Sequence, residues 1–520
     1  MPRYKPCDRS PKFVPLVFAE QIEPGSFEYA LDRLVDEELD FAPLDARYRN
    51  DVTGASAYDP RVMLKIVLLG YARGLVSSRA IAKACERNVQ FMALSGDVAP
   101  SYTQIAQFVR ELGSEIETFF GRILMVCDAL GLIGREMFAI DGVKLPCNAS
   151  KERSGTHAEL EHRAERLEKA TRVMLERHQA RDGSGESKSK SETDALAERH
   201  ARRIEALRRE AAKMREFVAG RAKRENAKGE ELKTNVTDPE SAKMATSKGV
   251  IQGYAAQAAV DSRNQVIVAA SVIGSGSEQQ ALVPLLEKTA GLRTDQTLIT
   301  ADAGYHSRAN VEHLAKHAIP AMIADRDMRA RDVRFREQAK YKLGEPLHDK
   351  RATQKAKQAK PALFHATDFR YDATKRTLVC PAGKSLYRSG NEIEDQGIVF
   401  NRFKGTVRDC VPCPLRGECL RTPERTRIRQ VAINLNRARP LDAIERMRQA
   451  IDSPAGRALY AMRIGTVEPV FGNVRHNKGF RRFTLRGQMK VGTQWSLACL
   501  MHNIEKIAHG GYHERRRARR

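Results

Sequence analysis

Three acidic residues are the strongest candidates for chemistry in this sequence: Asp141, Asp302 and Glu468. The two aspartates follow the apolar runs 137–140 and 298–301, which predict short buried strands. Because α/β folds place reactive groups at the carboxyl ends of central strands, we expect both aspartates at one edge of a sheet. Two aspartates and a glutamate from a facing helix would hold two Mg²⁺ ions, which neutralise charge and activate the nucleophile during phosphodiester cleavage.

Each of these acids also has a purely structural explanation. Asp302 could end a strand and cap the helix predicted from about Ser307 to His317. Asp141 precedes a glycine and could form a hairpin turn. Glu468 could be a first-turn helix residue that complements the helix dipole, with Pro469 tolerated early in that helix. The acids are 161 and 166 residues apart (141 to 302, then 302 to 468), so spacing alone does not show that they converge.

The stretches around the acids resemble those of the DDE insertion-sequence transposases. The matching pieces are Asp141-Gly-Val-Lys, Asn148-Ala-Ser, Ala301-Asp-Ala-Gly-Tyr, Val467-Glu-Pro-Val-Phe-Gly, Arg486-Gly and His502-Asn. They stand in the family's order and span residues 137–506. The resemblance implies a catalytic domain of the RNase H-like (retroviral-integrase) fold, in which Asp141, Asp302 and Glu468 are catalytic and bind Mg²⁺ or Mn²⁺.

The family's signature around its glutamate is Tyr, two residues, Arg, three residues, Glu, six residues, Lys. Tyr460 and Arg463 fit the first interval, four residues rather than three separate Arg463 from Glu468, and Arg475 stands in the place of the lysine. Arginine keeps the charge that binds phosphate. The resemblance therefore implies that Tyr460, Arg463 and Arg475, together with Lys144, contact DNA.

The composition favours a polyanionic partner. The 520 residues include 89 Lys and Arg against 65 Asp and Glu, a net charge of +24, which suits nucleic acid or an anionic membrane surface. No apolar run approaches the about 18 residues of a membrane span, so we predict no membrane association. One Trp and 6% aromatic residues argue against a base-stacking surface for single strands. The resemblance to transposases implies that this partner is double-stranded DNA and that the expected location is the bacterial cytosol, with the nucleoid.

The chain is too long for one core, and its character changes along its length. Residues 1–135 predict an all-α domain, which could read DNA as a helix-turn-helix or serve dimerisation. Residues 136–325 predict the first part of an α/β catalytic domain with a mixed sheet flanked by helices. A basic insertion follows over 326–450, the glutamate helix over 451–508, and a basic tail over 509–520 that adds salt-sensitive affinity for DNA.

The catalytic domain is predicted to carry a long helical insertion at residues 151–234. Its apolar residues repeat at heptad spacing in two stretches, which a Gly- and Ser-containing segment from Arg181 separates. This pattern predicts an antiparallel helical hairpin. Its dense, mixed charges fit either a solvated surface or a contact with DNA or a partner.

Four cysteines in the basic insertion could bind a metal ion. They are Cys380, Cys410, Cys413 and Cys419. Four soft thiolates near tight turns suit a closed, tetrahedral, structural Zn²⁺ site. The alternative is a small buried cluster of reduced cysteines, which a chain of the cytosol would keep free of disulfides.

The resemblance implies a transposase that cleaves DNA at terminal inverted repeats and joins the freed 3′-hydroxyl to target DNA. It also implies a homodimer or higher multimer that pairs two DNA ends. A DNA-binding regulator, or a transposase relic without activity, is the main alternative. A nuclease of the same fold that cuts without joining is another, and only the products of a reaction would separate the two enzymes.

Overall fold

The computed structural model describes residues 10–11, 15–50, 54–182, 190–226, 229–247, 249–332, 363–390, 393–395, 398–434 and 441–514. The chain divides into two compact units. The first comprises Met1–Met328 and Arg446–Arg520, and the second comprises Arg329–Glu445. The second unit lies within the predicted basic insertion. A search of the described helices finds none with the length and apolar character that a membrane crossing requires.

The amino-terminal region contains helices and, among its described residues, no strand. The helices are α1 (Phe27–Glu38), α2 (Ala42–Asp45), α3 (Pro60–Ala72), α4 (Ser78–Arg87), α5 (Val89–Ser95), α6 (Tyr102–Glu111) and α7 (Glu115–Ala129). Ser77 and Ser101 cap α4 and α6 by accepting hydrogen bonds from backbone N–H groups. On α6, Ile105 is buried while Gln104 and Gln107 are exposed, as predicted. This surface fits both predicted roles, DNA reading and dimerisation.

A six-stranded mixed sheet forms the centre of the first unit. The strands of this region are β1 (Met137–Pro146), β2 (Ser154–Gly155), β3 (Thr234–Asn235), β4 (Ala242–Thr246), β5 (Gly249–Asp261), β6 (Ile267–Ile273), β7 (Leu298–Ala301) and β8 (Ala321–Ile323). The order is β6–β5–β1–β7–β8, with β4 beside the start of β5, while β2 and β3 form a separate ribbon. β5 is antiparallel to β1 and β6, whereas β1, β7 and β8 run parallel. The predicted mixed sheet is confirmed.

The predicted helical hairpin is present between β2 and β3. It consists of α8 (His157–Asp182) and α9 (Lys190–Gly220), and the segment that joins them lies outside the described residues. Ala164 on α8 packs with Ala211 and Met214 on α9, all buried, as the heptad spacing predicted. The antiparallel ribbon of β2 and β3 holds the two ends of the hairpin beside the sheet.

A short helix follows each of the strands β6, β7 and β8. These helices are α10 (Leu282–Lys288), α11 (Arg308–Lys316) and α12 (Met328–Arg331). A 3₁₀ turn, Gln279–Ala281, leads into α10. Helix α10 packs against β6 and α11. The turn and the loop before α11 therefore lie at the same edge of the sheet.

In the described residues between 363 and 434, the second unit contains a small sheet and two short α-helices. Its elements are β9 (Arg370–Asp372), β10 (Thr377–Val379), β11 (Ser385–Arg388), β12 (Ile393–Asp395), β13 (Ile398–Lys404), α13 (Val407–Cys410), α14 (Arg416–Cys419) and β14 (Gln430–Ile433). Phe369, Leu378 and Phe403 lie in its core. Most of the basic segment predicted before it, residues 333–362, lies outside the described residues, as does the end of the basic tail, 515–520.

Three helices close the chain: α15 (Ala443–Asp452), α16 (Pro454–Gly472) and α17 (Gln488–His509). α17 joins the amino-terminal helices to the sheet, since it packs on α1, α3 and α7 and on β6. Trp495 donates its indole N–H to the carbonyl of Gln257 at 3.0 Å, and Asn503 pairs with both backbone groups of Ile267. The first unit consequently has one continuous hydrophobic core.

Candidate active site

The pairing of β1 with β7 brings the two aspartates together. The strands are parallel, and Ile140 lies opposite Ala301, so Asp141 and Asp302 follow side by side on neighbouring strands. Asp141 does not end its strand and forms no hairpin turn, because β1 continues to pair with β5 and Asp141 lies opposite Ala258. Pairing on both sides of β1 thus overrides the turn preference of the Asp-Gly sequence.

Asp302 ends β7 but does not cap the next helix. Its Oδ1 accepts a hydrogen bond from the backbone N–H of Gly304 at 2.9 Å, which bends the chain immediately after the strand. Ser307 caps α11 instead, by accepting from the N–H of Asn310 at 3.1 Å. Because no helix N-terminus holds the carboxylate of Asp302, the capping explanation for this residue is excluded.

Helix α16 supplies a positive charge to this pair. Arg463 forms an ion pair with Asp141, with 3.0 Å between Nη1 and Oδ2, and the two side chains are only 12% and 22% exposed. Tyr460, one turn earlier, donates its hydroxyl to the carbonyl of Ala301 at 3.2 Å. The Arg463 guanidinium carbon lies 5.8 Å from the centre of the Tyr460 ring. Two of the residues predicted to contact DNA are thereby placed at the aspartates.

The electrostatics of the site disfavour further negative charge. The pKa of Asp141 is raised, chiefly because burial disfavours the ionised form, and Asp302 adds to the rise while Arg463 reduces it. The pKa of Tyr460 is also raised by burial, with opposing effects of Arg463 and Asp302. The two aspartates are therefore close enough to repel each other, and a bound cation would relieve that repulsion.

A third carboxylate, which the sequence analysis did not single out, belongs to Glu278. Burial raises its pKa to about 7, with a further contribution from Asp302, against an opposing one from Lys144. Asp302 directly follows β7, whereas residues 274–277 separate Glu278 from the end of β6, so no strand-then-acid pattern marks Glu278 in the sequence. Lys144, Glu278 and Gly304 line one groove of about 660 Å³ with His306.

Glu468 is placed differently from the other acids. It is exposed, and within the described residues it has no hydrogen-bond or ion-pair partner. It lies in the second half of α16, whose first turn is capped by Ser453, so the first-turn explanation is wrong. Since a helix turns about 100° per residue, Glu468 leaves the helix about 140° away from Arg463. The carbonyl of Gly465 accepts from Gln265 in the β5–β6 turn, so beyond Arg463 the helix leads away from the aspartates.

Arg475 is likewise not brought to the aspartates by any described contact. It lies in a π-helical turn, Asn473–Asn477, that follows α16. Its Nε is buried and has no hydrogen-bond partner within the described part of the chain. Of the predicted DNA-contacting residues, Lys144, Tyr460 and Arg463 therefore lie at the site, and Arg475 does not.

The residues at the site fit a hard divalent cation by their chemistry. Carboxylate oxygens are the ligands that Mg²⁺ and Mn²⁺ prefer. A side chain at Gly304 would fill the space between two of them, because a Cβ there would lie 2.5 Å from Glu278 Oε2 and 3.0 Å from Asp302 Oδ1. Among the described residues, no three His, Cys, Asp or Glu side chains yet stand in metal-binding positions. Binding would thus require side-chain rotation.

The four predicted zinc ligands converge in the second unit. Cys380, Cys410, Cys413 and Cys419 line one small cavity of about 30 Å³, which is room for a single ion or water. Burial raises the pKa of Cys419, and the other three cysteines add to that rise against Arg429. All four are free thiols. Their sulfurs do not stand in metal-binding positions in this structure.

Comparison with known families decides the assignment. A family model described as a transposase DDE domain matches residues 379–508, and one described as a transposase domain (DUF772) matches residues 16–111. The two matches indicate a DDE insertion-sequence transposase. No curated protein and no solved structure matches this transposase.

Family membership supports a transposase function for the chain, with DNA as its substrate and divalent metal ions as general cofactors of the family. The two matched ranges include Glu468 and the cysteine cluster but neither Asp141 nor Asp302. In this transposase the assignment of the two aspartates therefore depends on the geometry of β1 and β7.

Proposed function

We propose that this transposase cleaves DNA at the terminal inverted repeats of its element and joins the freed 3′-hydroxyl to target DNA. Asp141 and Asp302 would bind Mg²⁺ or Mn²⁺, and Glu468 would complete the DDE triad. The observation that carries the proposal is the placement of Asp141 and Asp302 side by side on parallel strands. The strand order β6–β5–β1–β7–β8, antiparallel in its first half and parallel in its second, supports an RNase H-like fold.

The bound ions would supply charge neutralisation and an activated nucleophile at the scissile phosphate. The chain's own residues would hold and orient these groups. Arg463 favours the ionised form of Asp141 against the effect of burial and fixes its side chain through the 3.0 Å ion pair. Lys144, on the groove beside the acids, would bind a phosphate oxygen of the DNA backbone. Glu468 could join the centre only if α16 turned about its axis when DNA binds.

We also propose a structural Zn²⁺ in the second unit, held by Cys380, Cys410, Cys413 and Cys419. Their convergence on one cavity of single-ion size supports it. Four thiolates make a closed tetrahedral site, which stabilises a fold and leaves no position for substrate. The five hydrophobic residues of this unit's buried core are few for independent stability, and a metal would add to them.

Double-stranded DNA is the proposed partner, bound by a dimer or higher multimer that pairs two ends. The net charge of +24 supports a polyanionic partner. The exposed polar residues of α6, Gln104, Gln107 and Arg110, are available for a DNA groove or for a second copy of the chain. The amino-terminal helices would serve one of these two roles.

The test is a reaction of the full chain with Mg²⁺ and a labelled duplex that carries the inverted repeats flanking its own gene. Asp302→Asn is the control variant, because an Asn oxygen can still accept from the N–H of Gly304 while the negative charge is lost. Cleavage at the repeat boundary by the wild type alone would establish the metal-dependent enzyme, and joined products would make it a transposase in function.

Other products would decide against parts of the proposal. Cleavage without joining would leave a nuclease of the same fold. Salt-sensitive DNA binding without cleavage, alike in wild type and Asp302→Asn, would indicate a DNA-binding relic.

A further inference from the structure

The segment between β6 and α10 is fastened to the loop that follows β7. Gln279 donates its side-chain N–H to the carbonyl of His306 at 3.2 Å. Asn310, at the start of α11, donates to the carbonyls of Gln279 and Tyr305, each at 2.8 Å. These three bonds hold the backbone next to Glu278 in place. The position of this glutamate beside the loop is thus a property of the fold.

Glycine at position 304 permits the carboxylates of Glu278 and Asp302 to approach one point. A Cβ at Gly304 would lie 2.5 Å from Glu278 Oε2 and 3.0 Å from Asp302 Oδ1, so the two oxygens are at most 5.5 Å apart, the sum of these distances. Two oxygens that share one Mg²⁺ lie at most about 4.2 Å apart, twice the metal–oxygen distance. A small side-chain rotation would therefore let both bind one ion.

No described cation pairs directly with Glu278 or Asp302. Arg463 is paired with Asp141. The side chain of Glu278 has no ion-pair or hydrogen-bond partner among the described residues, although Lys144 and Arg326 line the same groove. A metal ion between Glu278 and Asp302 would neutralise these two carboxylates.

We propose that Glu278 is a ligand of the catalytic metal centre, together with Asp302 and Asp141. It would add a carboxylate beside Asp302, in addition to the triad of the proposed function. This inference rests on the proposed function, since metal-dependent cleavage gives the centre its role. Glu278 is in this reading a metal-binding residue of the site, and Glu468 is outside the metal centre in the DNA-free protein.

The test measures metal binding directly, by calorimetric titration of the full chain with Mn²⁺. Mn²⁺ is chosen because it prefers oxygen ligands, so the cysteine cluster competes little for it. Glu278→Gln and Glu287→Gln are matched variants, each of which replaces a carboxylate by an amide of similar volume, and Glu287 is an exposed residue of α10. We expect Glu278→Gln to weaken Mn²⁺ binding tenfold or more and Glu287→Gln to change it less than twofold. Asp302→Asn shows the effect of removing a metal ligand.

A second pair of variants keeps every carboxylate. Gly304→Ala fills the space between Glu278 and Asp302, whereas an added Cβ at Gly291 meets nothing within 4 Å. We expect Gly304→Ala to weaken Mn²⁺ binding and Gly291→Ala to leave it unchanged. This comparison remains informative if Glu278→Gln folds poorly, because the methyl group that Gly304→Ala adds would contact only the ends of flexible side chains.

The outcomes separate the inference from the proposed function. Wild-type binding of Mn²⁺ by Glu278→Gln and Gly304→Ala, with loss in Asp302→Asn, would overturn the inference and leave the proposed function intact. Equal weakening of Mn²⁺ binding in Glu278→Gln and Glu287→Gln would also overturn the inference, because it would reflect the lost charge and not a lost ligand. No Mn²⁺ binding by the wild type, together with no cleavage of the terminal-repeat duplex, would overturn both.

Discussion

The protonation of Glu278 predicts an unusual pH dependence of stability in the metal-free protein. Burial, with a contribution from Asp302, raises the pKa of this carboxyl from 4.5 to about 7. At about 1.36 kcal/mol per pH unit, this rise corresponds to about 3 kcal/mol. Because the side chain is only partly buried, solvent screening reduces the effect, and we expect about 1–2 kcal/mol.

The direction follows from proton linkage. A carboxyl with a raised pKa in the folded state binds its proton more tightly there than in the unfolded chain. Its contribution to stability is therefore full below pH 4.5 and is lost as the pH rises to about 7. Glu278→Gln removes this loss. The variant should thus match the wild type near pH 4.5 and exceed it in stability at pH 8.

Thermal unfolding in EDTA, monitored between pH 5 and 8, measures this difference. For a unit of this size, about 1–2 kcal/mol corresponds to a rise in the unfolding midpoint of roughly 1–3 °C. Glu468→Gln is the control, because an exposed glutamate without a partner should leave the midpoint unchanged at every pH. A Glu278→Gln midpoint equal to or below that of the wild type at pH 8 would refute the electrostatic reasoning. Saturating Mg²⁺ should reverse the order, since only the wild type would retain all its ligands.

Three further predictions concern other parts of the chain. Arg463→Met should lower the free energy of unfolding in urea at pH 7 by about 2–3 kcal/mol, because it leaves the buried carboxylate of Asp141 unpaired. Adding Asp141→Asn to this variant should recover most of that loss. If the two substitutions instead lowered the free energy of unfolding additively, the two residues would not form a direct pair. Cys413→Ser should reduce the zinc content, measured by atomic absorption, from about one ion per chain to near zero, and an unchanged content would exclude this residue as a ligand. Truncation after Glu514 removes five arginines. The slope of the logarithm of the DNA-binding constant against the logarithm of the salt concentration should become less steep by up to about 4. An unchanged slope would mean that the tail does not contact phosphate.

The pairing of the aspartates was predictable because it depends on local pattern. An apolar strand that runs into an acid occurs at Asp141 and again at Asp302, and parallel strands align such positions at one edge. What the pattern did not supply was the length of β1, which continues through Pro146 because β5 pairs along all of it. That continuation is a tertiary effect, and it removes the hairpin alternative.

Glu278 was not predictable in the same way. It follows Ser275-Gly276-Ser277 and not an apolar run, so its sequence resembles an ordinary entry to a helix. Its place is fixed by the hydrogen bonds of Gln279 and Asn310 to a loop more than twenty residues away in the chain. Contacts of this kind have no signature in a single sequence.

The orientation of Glu468 follows from a departure that is visible in the sequence. With three residues between arginine and glutamate, as in the family signature, the two side chains would leave a helix about 40° apart and face the same ligand. The fourth residue between Arg463 and Glu468 adds about 100°. A π-helical turn absorbs one extra residue, but the one in this chain, Asn473–Asn477, comes after Glu468 and cannot turn it back. Arg463 therefore stays on Asp141 while Glu468 is exposed in the DNA-free protein, and Glu278 is the additional carboxylate that the fold places beside Asp302.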